Sequence, residues 1–236
     1  MSIYIVGAQC TGKTTLVNGL HSALQAEGFN LHRITEVART VLHAHKYTRD
    51  DIAGNPHSAL KLQHLILSAQ FEAENEDACV PVLCDRSGID PIAYAVKYGP
   101  RNGRESLEQS EQWQTLKYRM FDSLVVLCPP HQGWLTDDGT RLIASSWQEW
   151  HDMHLTFCQI LQENQIPFSM LPDDLELLED RVEFVLQLWR SFLPRSVSVP
   201  RTVLRGLSAR PLPSTTSPVP ALEHRTESNC AASNFK

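Results

Sequence analysis

Five short apolar runs punctuate the chain: Ile3-Tyr-Ile-Val6, about 31–35, Val80-Pro-Val-Leu-Cys84, 122–128 with Leu124-Val-Val-Leu-Cys128 inside it, and 166–171. Except for the second, Leu31-His-Arg-Ile-Thr35, they are mostly apolar instead of alternating, which fits strands covered on both faces, as in a parallel sheet. Between them apolar residues recur at three-and-four spacing, predicting helices near 13–27, 36–46, 57–78, 89–98, 105–120, 144–164 and 173–193. The last carries the stripe Leu175, Leu178, Val182, Val185, Leu186 and Trp189, expected to close one face of the sheet. Strands alternating with helices predict a three-layer α/β fold.

After Leu193 the periodicity stops and Pro, Ser, Thr and Arg take over, as in Arg210-Pro-Leu-Pro-Ser-Thr-Thr-Ser-Pro-Val-Pro220. The expected organisation is one domain over 1–193 and a disordered tail over 194–236. The 236 residues leave little room for a second domain. The net charge of -6 is uneven: six basic residues (Arg195, Arg201, Arg205, Arg210, Arg225, Lys236) against two acidic ones (Glu223, Glu227) in the tail leave the rest near -10. An acidic body lacks the basic face that binds a nucleic-acid duplex, so the expected partner is a small phosphorylated molecule. The six cysteines are scattered without close pairing and read as free thiols. No leader-like segment precedes the first strand and no apolar run approaches membrane-spanning length, so the expectation is a cytoplasmic protein without a membrane span.

Candidate chemistry sharpens this picture. Gly7-Ala-Gln-Cys-Thr-Gly-Lys13-Thr14 spells G-x-x-x-x-G-K-[ST], the Walker A phosphate-binding pattern, between a strand and a helix as it must be. Gly7 and Gly12 let the backbone turn so that amides from Gly7, Ala8, Gln9, Cys10, Thr11, Gly12, Lys13, Thr14 and Thr15 surround a polyphosphate at a helix N-terminus. Lys13 supplies a mobile charge to the β- and γ-phosphates, and the Thr14 hydroxyl is a ligand for Mg²⁺.

The metal needs a carboxylate, and Asp85, at the end of the strand-like run Val82-Leu-Cys84, offers one at the sheet's carboxyl edge. Arg86 follows it, suited to transferring phosphates or the acceptor; an Asp-Arg pair at a strand end also occurs as a plain surface pair. Glu36, in Thr35-Glu-Val-Ala-Arg39, is placed either as a general base for an acceptor hydroxyl or as an acid stabilised by a helix dipole. Arg141, in the Gly-containing loop Thr136-Asp-Asp-Gly-Thr-Arg141, is the candidate for an arginine that closes over the phosphates, in a segment that also reads as an ordinary polar loop. Gln63 and Gln70, beside Leu62, Leu65, Ile66 and Ala69, are candidates for reading the edge of a base or ring.

Together, Tyr4-Ile-Val-Gly-Ala-Gln-Cys-Thr-Gly-Lys-Thr-Thr-Leu16, Glu36-Val-Ala-Arg39, Cys84-Asp-Arg-Ser87 with Asp90 and Ala93-Tyr94, and Asp138-Gly-Thr-Arg141 resemble the NadR-like AAA domain family of P-loop proteins, and more distantly deoxynucleoside kinases. The resemblance covers about residues 1–193. It implies a P-loop NTPase fold with a five-stranded sheet ordered 2-3-1-4-5, use of ATP and Mg²⁺, and phosphorylation of a small hydroxyl-bearing acceptor such as a nucleoside. It gives Glu36 the role of base, Asp85 and Arg86 the metal and phosphates, and Arg141 the covering role. The chain departs from deoxynucleoside kinases in lacking a proline after Glu36 and in having Asp, not Glu, before Arg86. The rival reading is an ATP- or GTP-binding switch with slow hydrolysis and a protein or lipid partner; no guanine-reading N-K-x-D segment is present.

Overall fold

A computed structural model describes residues 1–77, 79–131, 133–134 and 146–192. The strands are β1 (Ile3–Val6), β2 (His32–Ile34), β3 (Val82–Asp85), β4 (Leu124–Leu127) and β5 (Ser169–Met170). Helices α1 (Lys13–Ala26), α2 (Val37–His45), α3 (Arg49–Ala53), α4 (Pro56–Asn75), α5 (Ile89–Tyr98), α6 (Gly103–Glu108), α7 (Glu111–Phe121), α8 (Trp147–Glu163) and α9 (Leu178–Phe192) separate them. The strands form one sheet in the order β2-β3-β1-β4-β5, every pairing parallel. This is the order implied by the family resemblance.

Every residue of β1, β3 and β4 is buried, which is why these strands read as unbroken apolar runs. Side chains alternate across a strand, so β1 feeds two cores. Ile3 and Ile5 pack with Leu16 and Leu20 of α1 and with Val185 and Trp189 of α9. Tyr4 and Val6 pack with Ile89 and Ile92 of α5, Trp113 of α7 and Phe157 of α8. The stripe read from the sequence therefore closes one face, and α1 lies so near α9 that a Cβ at Gly19 would meet Val182 Cγ2 at 2.7 Å. A smaller cluster of Val41, Ile52, Ala59, Leu62 and Ile66 joins α2, α3 and α4.

Three elements differ from the expected pattern. The single helix read over 105–120 is two, because Ser110 caps α7: its hydroxyl accepts from the Trp113 amide at 3.3 Å, and the chain turns there. Helix α3 was not expected; Thr48 and Asp51 form a capping box that starts it. Helix α9 begins at Leu178 instead of near 173, with Glu179 and Asp180 in its first turn, where acids complement the helix dipole. The tail 194–236 and the segment 136–141 lie outside the described residues.

Candidate functional site

The turn between β1 and α1 takes its shape from two glycines. Gly7 has φ +135° and Gly12 φ +74°, conformations that side chains resist. Space is also short: a Cβ on Gly7 would lie 2.6 Å from the Cys128 carbonyl oxygen, and one on Gly12 would lie 2.5 Å from Arg181 Nη1. The loop leaves the first amides of α1 facing the carboxyl edge of the sheet, a natural anion site. Lys13 Nζ donates to the Ala8 carbonyl and, at 3.3 Å, to Thr11 Oγ1, while Thr11 Oγ1 donates to the same carbonyl at 3.0 Å. Burial, helped by the neighbouring Arg86 cation and opposed by Asp90 and Asp85, pushes the Lys13 ammonium down to about 8.

Across from this loop, β3 ends in Asp85, which is 3% exposed. Thr14 Oγ1 donates to Asp85 Oδ2 at 2.6 Å, and Asp85 Oδ1 is buried without a hydrogen-bond partner. Arg86 follows with φ +87°, its amide donating to the Ile5 carbonyl at 3.0 Å. The turn aims its guanidinium between two carboxylates: Nη2 lies 2.7 Å from Glu36 Oε1 and Nη1 lies 3.1 Å from Asp90 Oδ1. Asp90 Oδ2 accepts the Ser87 amide at 2.8 Å, so the arginine is fixed from both sides. Burial pushes the Asp90 carboxyl up, against the pull of Arg86 and Lys13.

Glu36 caps α2 without a side-chain capping bond. Its carboxylate is held by Arg86 on Oε1 and by Arg39 on Oε2 at 2.9 Å, so its described contacts are with guanidiniums and not with the helix terminus. Cys10, Thr11, Gly12, Lys13, Thr14 and Thr15 line a cleft of about 550 Å³ together with Glu36, Asp85 and Arg86. Gly7, Ala8 and Gln9 lie beneath it: the Gln9 carbonyl accepts from Trp150 Nε1 at 2.7 Å, and Gln9 Oε1 accepts from the Tyr94 hydroxyl at 3.1 Å.

A second, smaller pocket of about 70 Å³ adjoins the first through Glu36 and Arg86, which line both. Its walls are mostly apolar, with Leu42, Ile52, Leu62, Ile66 and Pro91, and Gln63 and Tyr94 supply polar groups. Gln70 is elsewhere, donating to Glu74 Oε1 at 2.8 Å in a buried network with Tyr4, so the amide facing the pocket is Gln63 alone of the two expected.

Three residues of the cleft, Trp134, Glu176 and Arg181, escaped sequence reasoning. Arg181 of α9 is 4% exposed and donates from Nη2 to the Thr11 carbonyl at 3.0 Å, and its guanidinium stacks on the Trp134 ring at 4.8 Å. The one signal was a cation on the buried side of the α9 stripe, three residues after Leu178. Arg141 lies outside the described residues.

Solved structures that share the fold include two of NadR protein. One is NadR protein in complex with NR (22% identity, TM-score 0.61, covering 81% of this chain and 51% of that one). The other is NadR protein in complex with NAD and AMP-PNP (22% identity, TM-score 0.59, 81% and 49%). The chain thus spans about half the length of these structures. No curated protein matches it. Among the described residues no helix is long and apolar enough to cross a membrane. The family model described as "AAA domain" matches residues 2–179, and on that match, with the Walker A loop and parallel sheet described above, the chain belongs to this AAA domain family of P-loop proteins.

Proposed function

We propose that the protein transfers the γ-phosphoryl group of Mg-ATP to a hydroxyl of a small, nucleoside-like metabolite bound where the cleft opens onto the apolar pocket. The observation that carries this reading is the shared wall: Glu36 and Arg86 line both the phosphate cleft and the pocket beside it. A donor phosphate and an acceptor hydroxyl meet at such a boundary. The NadR structures that share the fold contain NR in one case and NAD with AMP-PNP in the other, which supports a nucleotide and a nucleoside-like partner here.

The side chains divide the work. The loop amides and Lys13 hold the phosphates, and Lys13 regains its full charge when a polyanion replaces the carbonyl and hydroxyl it now contacts. Asp85 Oδ1, buried and unpartnered, and Thr14 Oγ1 beside Oδ2 make an all-oxygen donor set suited to Mg²⁺. Bound there, the ion would neutralise phosphate charge. Arg86, locked by Glu36 and Asp90, offers a guanidinium that needs no reorganisation as charge develops on the transferring group. Glu36 accepts the hydroxyl proton; the acceptor reaches it by displacing Arg39, whose side chain is 48% exposed.

The test is a panel of nucleosides and other hydroxylated metabolites incubated with γ-labelled ATP and Mg²⁺, beside an acceptor-free control. Label appearing in an acceptor supports the proposal. Label released only as inorganic phosphate, and only when a protein or lipid is added, favours the nucleotide switch and contradicts it.

A further inference from the structure

Arg181 is a buried cation that no carboxylate among the described residues neutralises. None of the described carboxylates forms an ion pair with it; Glu176, which lines the same cleft, lies 3.5 Å from His131 instead. One N–H reaches the Thr11 carbonyl, the guanidinium also meets the Cys128 thiol, which burial pushes up and so keeps neutral, and Nε is buried with no hydrogen-bond partner. Burial lowers the guanidinium's proton affinity, which for an arginine leaves the charge in place and registers as a cost. A buried charge is tolerated where something compensates it, and a backbone carbonyl is a weak counterpart for a delocalised cation with five donors.

Its position says what the counterpart is. The guanidinium lies against Gly12 so closely that a Cβ there would collide with Nη1, and it opens onto the cleft that Lys13, Thr14 and Asp85 line. The guanidinium carbon lies 4.8 Å from the centre of the Trp134 ring, a cation–π contact. Helix α9 supplies a rigid mount, unlike a loop-borne arginine. We infer that Arg181 is a phosphate ligand built into α9, and that the polyanion of a bound nucleoside triphosphate supplies its counter-charge. This rests on the proposed function only in taking the cleft as a polyphosphate site. Arg181 thereby links α9 and the Thr11–Gly12 segment of the phosphate loop to nucleotide occupancy.

The experiment compares wild type with Arg181→Met and Arg181→Lys, measuring calorimetric affinity for Mg-ATP and for inorganic tripolyphosphate, and melting temperature with and without each probe. Arg181→Met should lose about tenfold or more in affinity for both probes, the expected scale for a charge-assisted hydrogen bond. Arg181→Lys should recover part of that loss. Without probe, Arg181→Met should melt at or above the wild-type temperature, since a buried unpaired charge has been replaced by an apolar chain. A merely structural clamp on Thr11 predicts the reverse: lower stability or failure to fold, with probe affinity retained in Arg181→Lys at the wild-type level. That pattern, or wild-type affinity in Arg181→Met, overturns the assignment. Wild-type protein that binds neither probe overturns the phosphoryl-transfer reading itself.

Discussion

The phosphate end of the cleft is built around one contiguous stretch, Cys10–Thr15, to which Asp85, Trp134 and Arg181 add single side chains, whereas the neighbouring pocket is walled by side chains from α2, α3, α4 and α5. The first is polar and held by backbone geometry: positive φ at Gly7 and Gly12, a lysine folded onto Ala8 and Thr11. The second is apolar, with its shape set by how four helices pack around Leu62 and Ile66. On the proposed function, chemistry common to every bound nucleotide is written mainly in the local loop, and recognition of one acceptor in tertiary packing. The two meet at Glu36 and Arg86, so substitutions should separate into effects on phosphate binding, on acceptor binding and on their coupling.

The largest expected effect is at the phosphate end. Lys13→Ala should lower phosphoryl transfer by on the order of a thousandfold or more while the protein keeps its helical circular dichroism spectrum, because removing the lysine takes away charge complementary to the transferring group. Full turnover in a folded variant would mean that the loop is not the phosphate site.

The same residue gives a pH dependence. Burial holds Lys13 near 8 in the folded chain, below its ordinary 10.5, and a bound polyanion favours the charged form. Above pH 8 the free protein must take up a proton to bind, so ATP affinity should fall by up to about tenfold per pH unit, and calorimetry in buffers of different ionisation enthalpy should register proton uptake. The sign for folding is opposite: between about 8 and 10.5 the unfolded chain holds more protons at this site, so Lys13's contribution to stability rises with pH there. Affinity independent of pH from 7 to 9.5 would contradict this.

At the acceptor end the effect is smaller and confined. Gln63, 3% exposed and lining the small pocket, supplies an amide. Gln63→Leu should raise the acceptor KM by roughly five- to a hundredfold, the scale of one buried hydrogen bond, with ATP affinity unchanged. An equal change in both affinities would show that the two ends are not separable.

The same contrast explains what the sequence made legible. The phosphate loop could be read because its pattern, the preceding strand and the following helix are adjacent in the chain, and the sheet order followed from the resemblance those residues carry. Asp85 was legible from its place at a strand end. The grip of Glu36 on Arg86 joins residues fifty positions apart and left no local trace. Arg181 reaches Thr11 across 170 positions, and its helix read simply as an apolar stripe. Between Gln63 and Gln70, two turns apart on α4, only packing decides: the first lines the pocket and the second bonds Glu74. The break between α6 and α7 depends on one serine cap inside an otherwise helical pattern.

The most direct test of the central claim, that phosphate cleft and acceptor pocket meet at the Glu36–Arg86 pair, is the steady-state kinetics of Glu36→Gln with the acceptor found by the labelled-ATP panel. The account predicts a kcat lower by about a hundredfold or more, the contribution of a positioned general base, with ATP affinity within about twofold of wild type. Wild-type kcat in Glu36→Gln, or a loss confined to ATP affinity, would contradict it.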